Sequence, residues 1–75
     1  MSQNYLLLQY NFDTRKSEGL LDQNCSSNEA HDAASELCRI LADHYNTSWS
    51  YTATGRAANF RIEGQPIGYK VLSIN

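Results

Sequence analysis

Four side chains in this chain have the chemistry of metal ligands or nucleophiles: Cys25, His31, Cys38 and His44. Their spacings contain neither the CxxC nor the HxxxH pairing that pre-forms half a site on one turn. His31 and Cys38, seven residues apart, share a helix edge, but His44 falls well round toward the other side. No metal and no cofactor is therefore expected. Thiol chemistry would need Cys25 or Cys38 beside a base. Cys25 stands just before a helix start, where its pKa could be lowered, whereas Cys38 borders an apolar stripe and serves as a small hydrophobe. Carboxylates pair as Asp32 with Glu36, and Asp43 adjoins His44, but on a solvated helix face that perturbs neither member. A glycine-rich phosphate loop, a GxSxG elbow and an HExxH motif are all missing. These residues predict a non-enzymatic protein.

The element that must position them runs from Ser26 to Asn46. Ser26 followed by Glu29 fits a capping box, and Glu29 and Asp32 lie near the positive end of the helix dipole. Asn46 is a left-handed stop. At 100° per residue, Ala30, Ala34, Leu37, Leu41 and Tyr45 form the stripe to be buried, flanked by Ala33, Cys38 and His44. The opposite face gathers Glu29, Asp32, Glu36 and Asp43 within roughly 60° of arc and about 21 Å of length. Arg39 can pair with Glu36 and Asp43, and Ile40 stands exposed beside the acids.

Alternation supplies the strands. Asn4 to Asp13 places Leu6, Leu8, Tyr10 and Phe12 on one face and Tyr5, Leu7, Gln9 and Asn11 on the other. Thr14 to Cys25 is a connection centred on Gly19, whose Leu20-Leu21 pair forms either a lid or a short extra strand. Thr47 to Thr54 aligns Trp49, Tyr51 and Ala53, and Gly55-Arg56 makes a turn. Ala57 to Glu63 turns Ala58, Phe60 and Ile62 inward. Gly64-Gln65-Pro66 is the next turn. In Ile67 to Ile74 the pattern breaks, since Leu72 and Ile74 oppose Ile67, Tyr69 and Val71; either a bulge or cover on both faces would explain it.

The expected fold is α+β, one domain spanning 1–75. It is a two-layer sandwich with order β-α-β-β-β, one helix on one face of a four-stranded mixed, mostly antiparallel sheet, the first two strands parallel through a right-handed crossover. A chain of this size buries only about 60% of its unfolded surface, so its stability is expected to be marginal or shared with a partner. The other sheet face is left bare. Tyr5, Leu7, Leu72 and Ile74 are the apolar candidates for it, beside Ser48, Ser50, Thr52, Asn59 and Arg61. Such a face, or an unpaired edge strand, suits a docked protein or a homodimer.

Charge is uneven behind a net −2. Between Ser17 and Asn46 six acids face only Arg39; after Gly55, Arg56, Arg61 and Lys70 face only Glu63. The acidic row could enter a basic groove on another protein, including one built for nucleic acid, with Ile40 as the apolar contact. The candidate partner-binding residues are thus Glu29, Asp32, Glu36, Ile40, Asp43, Tyr5, Leu7 and Leu72. Direct nucleic-acid binding through Arg56, Arg61 and Lys70 is the alternative. It is disfavoured by the acidic balance and by aromatics that fall on the helix-covered face. With no apolar run long enough for a bilayer and no secretory signal, a cytoplasmic protein without membrane contact is expected, its two thiols reduced.

The element order NYLLLQYNFD, SNEAHDAASELCRILADHYN, SWSYTAT, NFRIE and GYKVLSI resembles that of several small phage-encoded inhibitors, some anti-CRISPR proteins among them. The resemblance is one of layout and brings no site residue with it. It implies a domain that blocks a larger complex by occupying one of its surfaces.

Overall fold

Asn11 closes the first strand, β1 (Tyr5–Asn11), with a side-chain turn in the computed structural model, which describes residues 4–74. Its Oδ1 accepts from the amides of Asp13 and Thr14 at 2.9 and 3.0 Å, and Arg15 turns the chain back with φ 61°. The segment expected as a connection is therefore a ten-residue strand, β2 (Lys16–Cys25), antiparallel to β1. Leu20-Leu21 belongs to this extra strand. Its register shifts between Tyr5 and Leu6, Leu7 and Leu8, and Gln9 and Tyr10. Each extra residue moves the following side chains to the other face, so no period of two survives in the sequence.

The helix α1 (Ser27–His44) follows, capped at Ser26. The Ser26 hydroxyl accepts from the Glu29 amide at 3.1 Å, and the Glu29 carboxylate accepts from the Ser26 amide at 3.0 Å. At the far end Asn46 adopts φ 57°, and Thr47 donates to the Ala42 carbonyl at 2.8 Å, the wrap-back that ends many helices. Then come β3 (Trp49–Thr54), β4 (Ala57–Ile62) and β5 (Ile67–Ser73), joined by tight turns at Gly55 and Gly64, both with positive φ.

The single sheet has the order β2-β1-β5-β4-β3, and every neighbouring pair is antiparallel. The α+β class stands, as does the one helix among the described residues, and the succession β-α-β-β-β is kept around one inserted strand: with β2 ahead of the helix the chain runs β-β-α-β-β-β. The count of four strands and the mixed sheet do not stand. With β2 folded back before the helix begins, α1 carries the chain from one sheet edge to the other, so β3 pairs with β4 alone and no parallel neighbours form.

Ala30, Ala34, Cys38 and Ala42 are the buried line of the helix, and Leu37 and Leu41 pack along its margin. Ala30 and Ala34 are the expected start of the stripe, but from there the buried line runs through Cys38 and Ala42, one position on from Leu37 and Leu41. Tyr45, expected inside, is 47% exposed. Small residues face the sheet because the sheet supplies the bulk: Phe60, Tyr69, Val71, Ile62 and Leu7 fill the interface, with Trp49 and Tyr5 at its borders. The register of β5 is unbroken, so Leu72 reaches the far face with no bulge.

On that far face Gly68 lies opposite Tyr10, and the Phe12 ring lies across it. A Cβ at 68 would collide with the Phe60 carbonyl oxygen and fall 2.8 Å from the Phe12 ring. Gly68→Ala is expected to lower stability by about 1–3 kcal/mol or more, as overpacking does. A denaturant midpoint equal to that of the parent chain would show that the ring and strand yield freely.

Candidate functional site

Cross-strand pairing decides which side chains share the uncovered face. Leu6 lies opposite Leu72, Leu8 opposite Lys70 and, on its other side, opposite Leu20; Ala57 and Asn59 continue the rows onto β4. The face therefore carries Leu6, Leu8, Tyr10 and Phe12 from β1. Tyr5 and Leu7, expected there, point the other way: Leu7 is 3% exposed and Tyr5 packs against the core. Alternation gives the two faces of β1 but not their polarity. Both faces are apolar near its start, and only the Tyr5-Leu7 end needs to meet the core, so Gln9 and Asn11 can follow on the same side. Leu72 is on the open face as expected.

The open face has two parts. At one end Tyr10 and Phe12 meet edge to face at 5.0 Å, with the Lys70 ammonium 4.4 Å over Tyr10 and the Arg61 guanidinium 4.7 Å over Phe12. The cations already occupy the rings, each contact contributing about 0.5–1 kcal/mol at an exposed site. At the other end Leu6, Leu8, Leu72 and the 52%-exposed Leu20 form an apolar patch that no described element covers. Between them stands Asn59, whose Oδ1 is buried and has no hydrogen-bond partner among the described residues.

The acidic helix face is where the sequence places it. Glu29, Asp32, Glu36 and Asp43 are all exposed, and so is Ile40. Its charge is largely used within the helix, however. Glu29 closes the cap, and bonds from the Ser26 backbone and side chain hold its carboxyl below the ordinary glutamate range. Arg39 grips Glu36 with two nitrogens, the Nε bond being 3.3 Å, and stands 4.0 Å from Asp43. That bond and the adjacent charge lower the Glu36 pKa as well. Only Asp32 of the four makes neither ion pair nor hydrogen bond among the described residues.

The alternative cations do not converge. Arg61 and Lys70 share the open face through their rings, while Arg56 sits in the β3-β4 turn, beside a hollow lined by Ser27, His31 and Tyr5. Neither cysteine is poised for attack. The Cys25 thiol contacts the Tyr5 carbonyl at 3.3 Å, and burial, then the Asp22 charge, pushes its pKa up instead of down. Burial alone raises Cys38 to about 11. His31 bonds the Ser27 carbonyl through Nδ1 at 2.7 Å, which requires the proton on that nitrogen. No group of three His, Cys, Asp or Glu residues suited to a metal occurs among the described residues. A concavity of about 570 Å³ is an open bowl at the β4-β5 turn, and no hydrogen bond among the described residues links its titratable side chains Asp13, Arg61 and Glu63 to one another.

Among the described residues no helix is long and apolar enough to cross a membrane. No protein-family model, no curated protein and no solved structure matches this chain.

Two measurements check this geometry. Because the folded pKa values of Glu29 and Glu36 are depressed, their contribution to stability is complete above the ordinary glutamate range and disappears as pH falls through the lower folded values. Acid titration of the unfolding midpoint should show that loss, and the Glu29→Gln/Glu36→Gln variant should show a shallower one. Asn59→Val removes an unpaired acceptor from a strand and should stabilise by about 1 kcal/mol; destabilisation by a similar amount would mean that the amide has a partner in solution.

Proposed function

We propose that this chain is a non-enzymatic protein-binding module, acting in the cytoplasm, that docks through the open face of its sheet. The observation that carries the reading is the clustering of Leu6, Leu8 and Leu72 on a face over which no described element packs. A patch of leucines flanked by aromatics and held cations is the composition of an interface centre with a polar rim. Five strands at about 4.8 Å and seven residues at about 3.3 Å give a face of roughly 550 Å² before side-chain relief. A standard interface takes about 800 Å² per partner. The acidic helix supplies orientation more than affinity, since Arg39 and the cap already hold three of its carboxylates. An inhibitor of a nucleic-acid-handling complex, of the anti-defence type, is the version of this reading in which Asp32, Ile40 and the neighbouring acids face a basic groove on the partner.

Direct nucleic-acid binding is the second reading, favoured by one observation: Lys70 and Arg61 lie with Tyr10 and Phe12 on the exposed sheet face. Against it, base stacking would first have to displace both cations from the rings.

Affinity capture with the parent chain, with Leu8→Glu, with Leu72→Glu and with Glu29, Glu36 and Asp43 changed to Lys tests the proposal. A discrete protein should be retained by the parent and lost with either leucine variant, each checked for folding by circular dichroism. Charge reversal should weaken capture mainly at low salt. Equal capture by the folded leucine variants, or retention of nothing at low salt, would overturn the docking face. A gel shift that fades steeply with salt would support the second reading instead.

A further inference from the structure

The two edges of the sheet are built differently. The β2 edge is broken by three register shifts and carries Lys16, Glu18 and Asp22, devices that block further strand pairing. The β3 edge, WSYTAT, has no charge, no proline, no glycine and an unbroken register from Trp49 opposite Ile62 to Thr54 opposite Ala57. Nothing among the described residues pairs with it.

Its free hydrogen-bonding groups can be assigned. The Glu63 amide donates to the Ser48 carbonyl at 3.0 Å. Opposed residues in an antiparallel pair alternate between bonded and unbonded. Ser50, Thr52 and Thr54 therefore spend their backbone groups on β4, and Trp49, Tyr51 and Ala53 turn theirs outward. The side chains of these three lie on the helix side, where His31, Ser35, Trp49, Tyr51 and Phe60 line an open groove of about 310 Å³ beside the edge.

We infer that the β3 edge joins two copies of this chain, strand to strand and antiparallel, into one continuous sheet. A twofold axis at Tyr51 pairs Tyr51 with Tyr51 and Trp49 with Ala53, so every outward amide and carbonyl of the three residues finds its partner. The same register sets a large side chain opposite a small one and Ser50 opposite Thr52, a hydroxyl pair on the open face. No like charges meet along the strand. Charge complementarity falls at its ends: Arg56, in the turn after β3, comes beside residues 46–48 of the other copy. There the carbonyl end of the helix leads into β3, and the Glu63 carboxylate accepts from the Ser48 hydroxyl at 2.9 Å. The helix packs chiefly over β4 and β5, so the two helices stand about 19 Å apart at ~4.8 Å per strand and do not clash. Both leucine patches then lie on one side of the joined sheet, doubling the face available to a docked partner.

Sedimentation equilibrium from micromolar to millimolar chain, with amide hydrogen exchange at both ends of the range, tests the dimer. Expected are a species of twice 8.5 kDa and slow exchange of the Trp49, Tyr51 and Ala53 amides that becomes fast on dilution. Ala53→Pro removes an outward amide without touching the β4 ladder and should raise the dissociation constant about tenfold or more. A monomer at every concentration overturns the inference. So does a dimer whose three amides exchange equally fast at both extremes, and so does a folded Ala53→Pro chain that dimerises as the parent does. If that variant fails to fold, exchange in the parent chain still decides.

Discussion

One helix against one sheet face is the constraint from which the rest of this structure follows. An 18-residue helix is about 27 Å long and, with its side chains, about 10 Å wide. It can lie over two or three strands of one face and no more. Ala30, Ala34, Cys38 and Ala42 bring it close enough for Phe60, Tyr69 and Val71 to fill the gap, so the core is made of small helix residues and large sheet residues. Outside that footprint no described element covers the sheet. The leucine end of the far face, the β3 edge and the rim of helical acids are three consequences of the same shortage of cover.

The sequence was readable wherever one rule acted alone. The capping box at Ser26 and Glu29, the left-handed Asn46, the turns at Gly55 and Gly64 and the alternation of β3 and β4 each rest on local chemistry, and each is present. It failed where tertiary context decided. Three bulges erased the period of β2, which looked like a loop because its polarity and its glycine are what an edge strand tolerates. That hidden strand in turn removed the parallel pair, since the helix now starts from the opposite edge. The polarity of β1 was lost for a different reason: both of its faces are apolar, and the richer one, Leu6 to Phe12, is the one left uncovered. The second half of the helix stripe was displaced, after Ala30 and Ala34, because hydrophobic scales favour Leu37 and Tyr45, while close packing on aromatic strands favours Cys38 and Ala42.

The candidate site changes accordingly. Exposure of Glu29, Asp32, Glu36, Asp43 and Ile40 was legible from helical spacing, but the compensation of three of those acids depends on side-chain reach that spacing only hints at. The cations Arg61 and Lys70 could be placed on the open face from alternation alone. Their seating over Phe12 and Tyr10 could not, because it requires β1 and β5 to be neighbours in the right register. Gly68 is the clearest case: it looks incidental in the chain, yet it lets the Phe12 ring lie on the sheet and so closes the aromatic end of the face, leaving the leucine end open.

For a partner to dock on that leucine end, it must be bare in a single copy of the chain. Methyl NMR on dilute protein with a water-soluble paramagnetic agent measures it directly. Strong broadening of the Leu6, Leu8 and Leu72 methyls, with Leu7 and Val71 spared, is the predicted result. Leu6, Leu8 and Leu72 methyls shielded as fully as Leu7 would contradict it, by showing that something within the monomer covers the far side of the sheet.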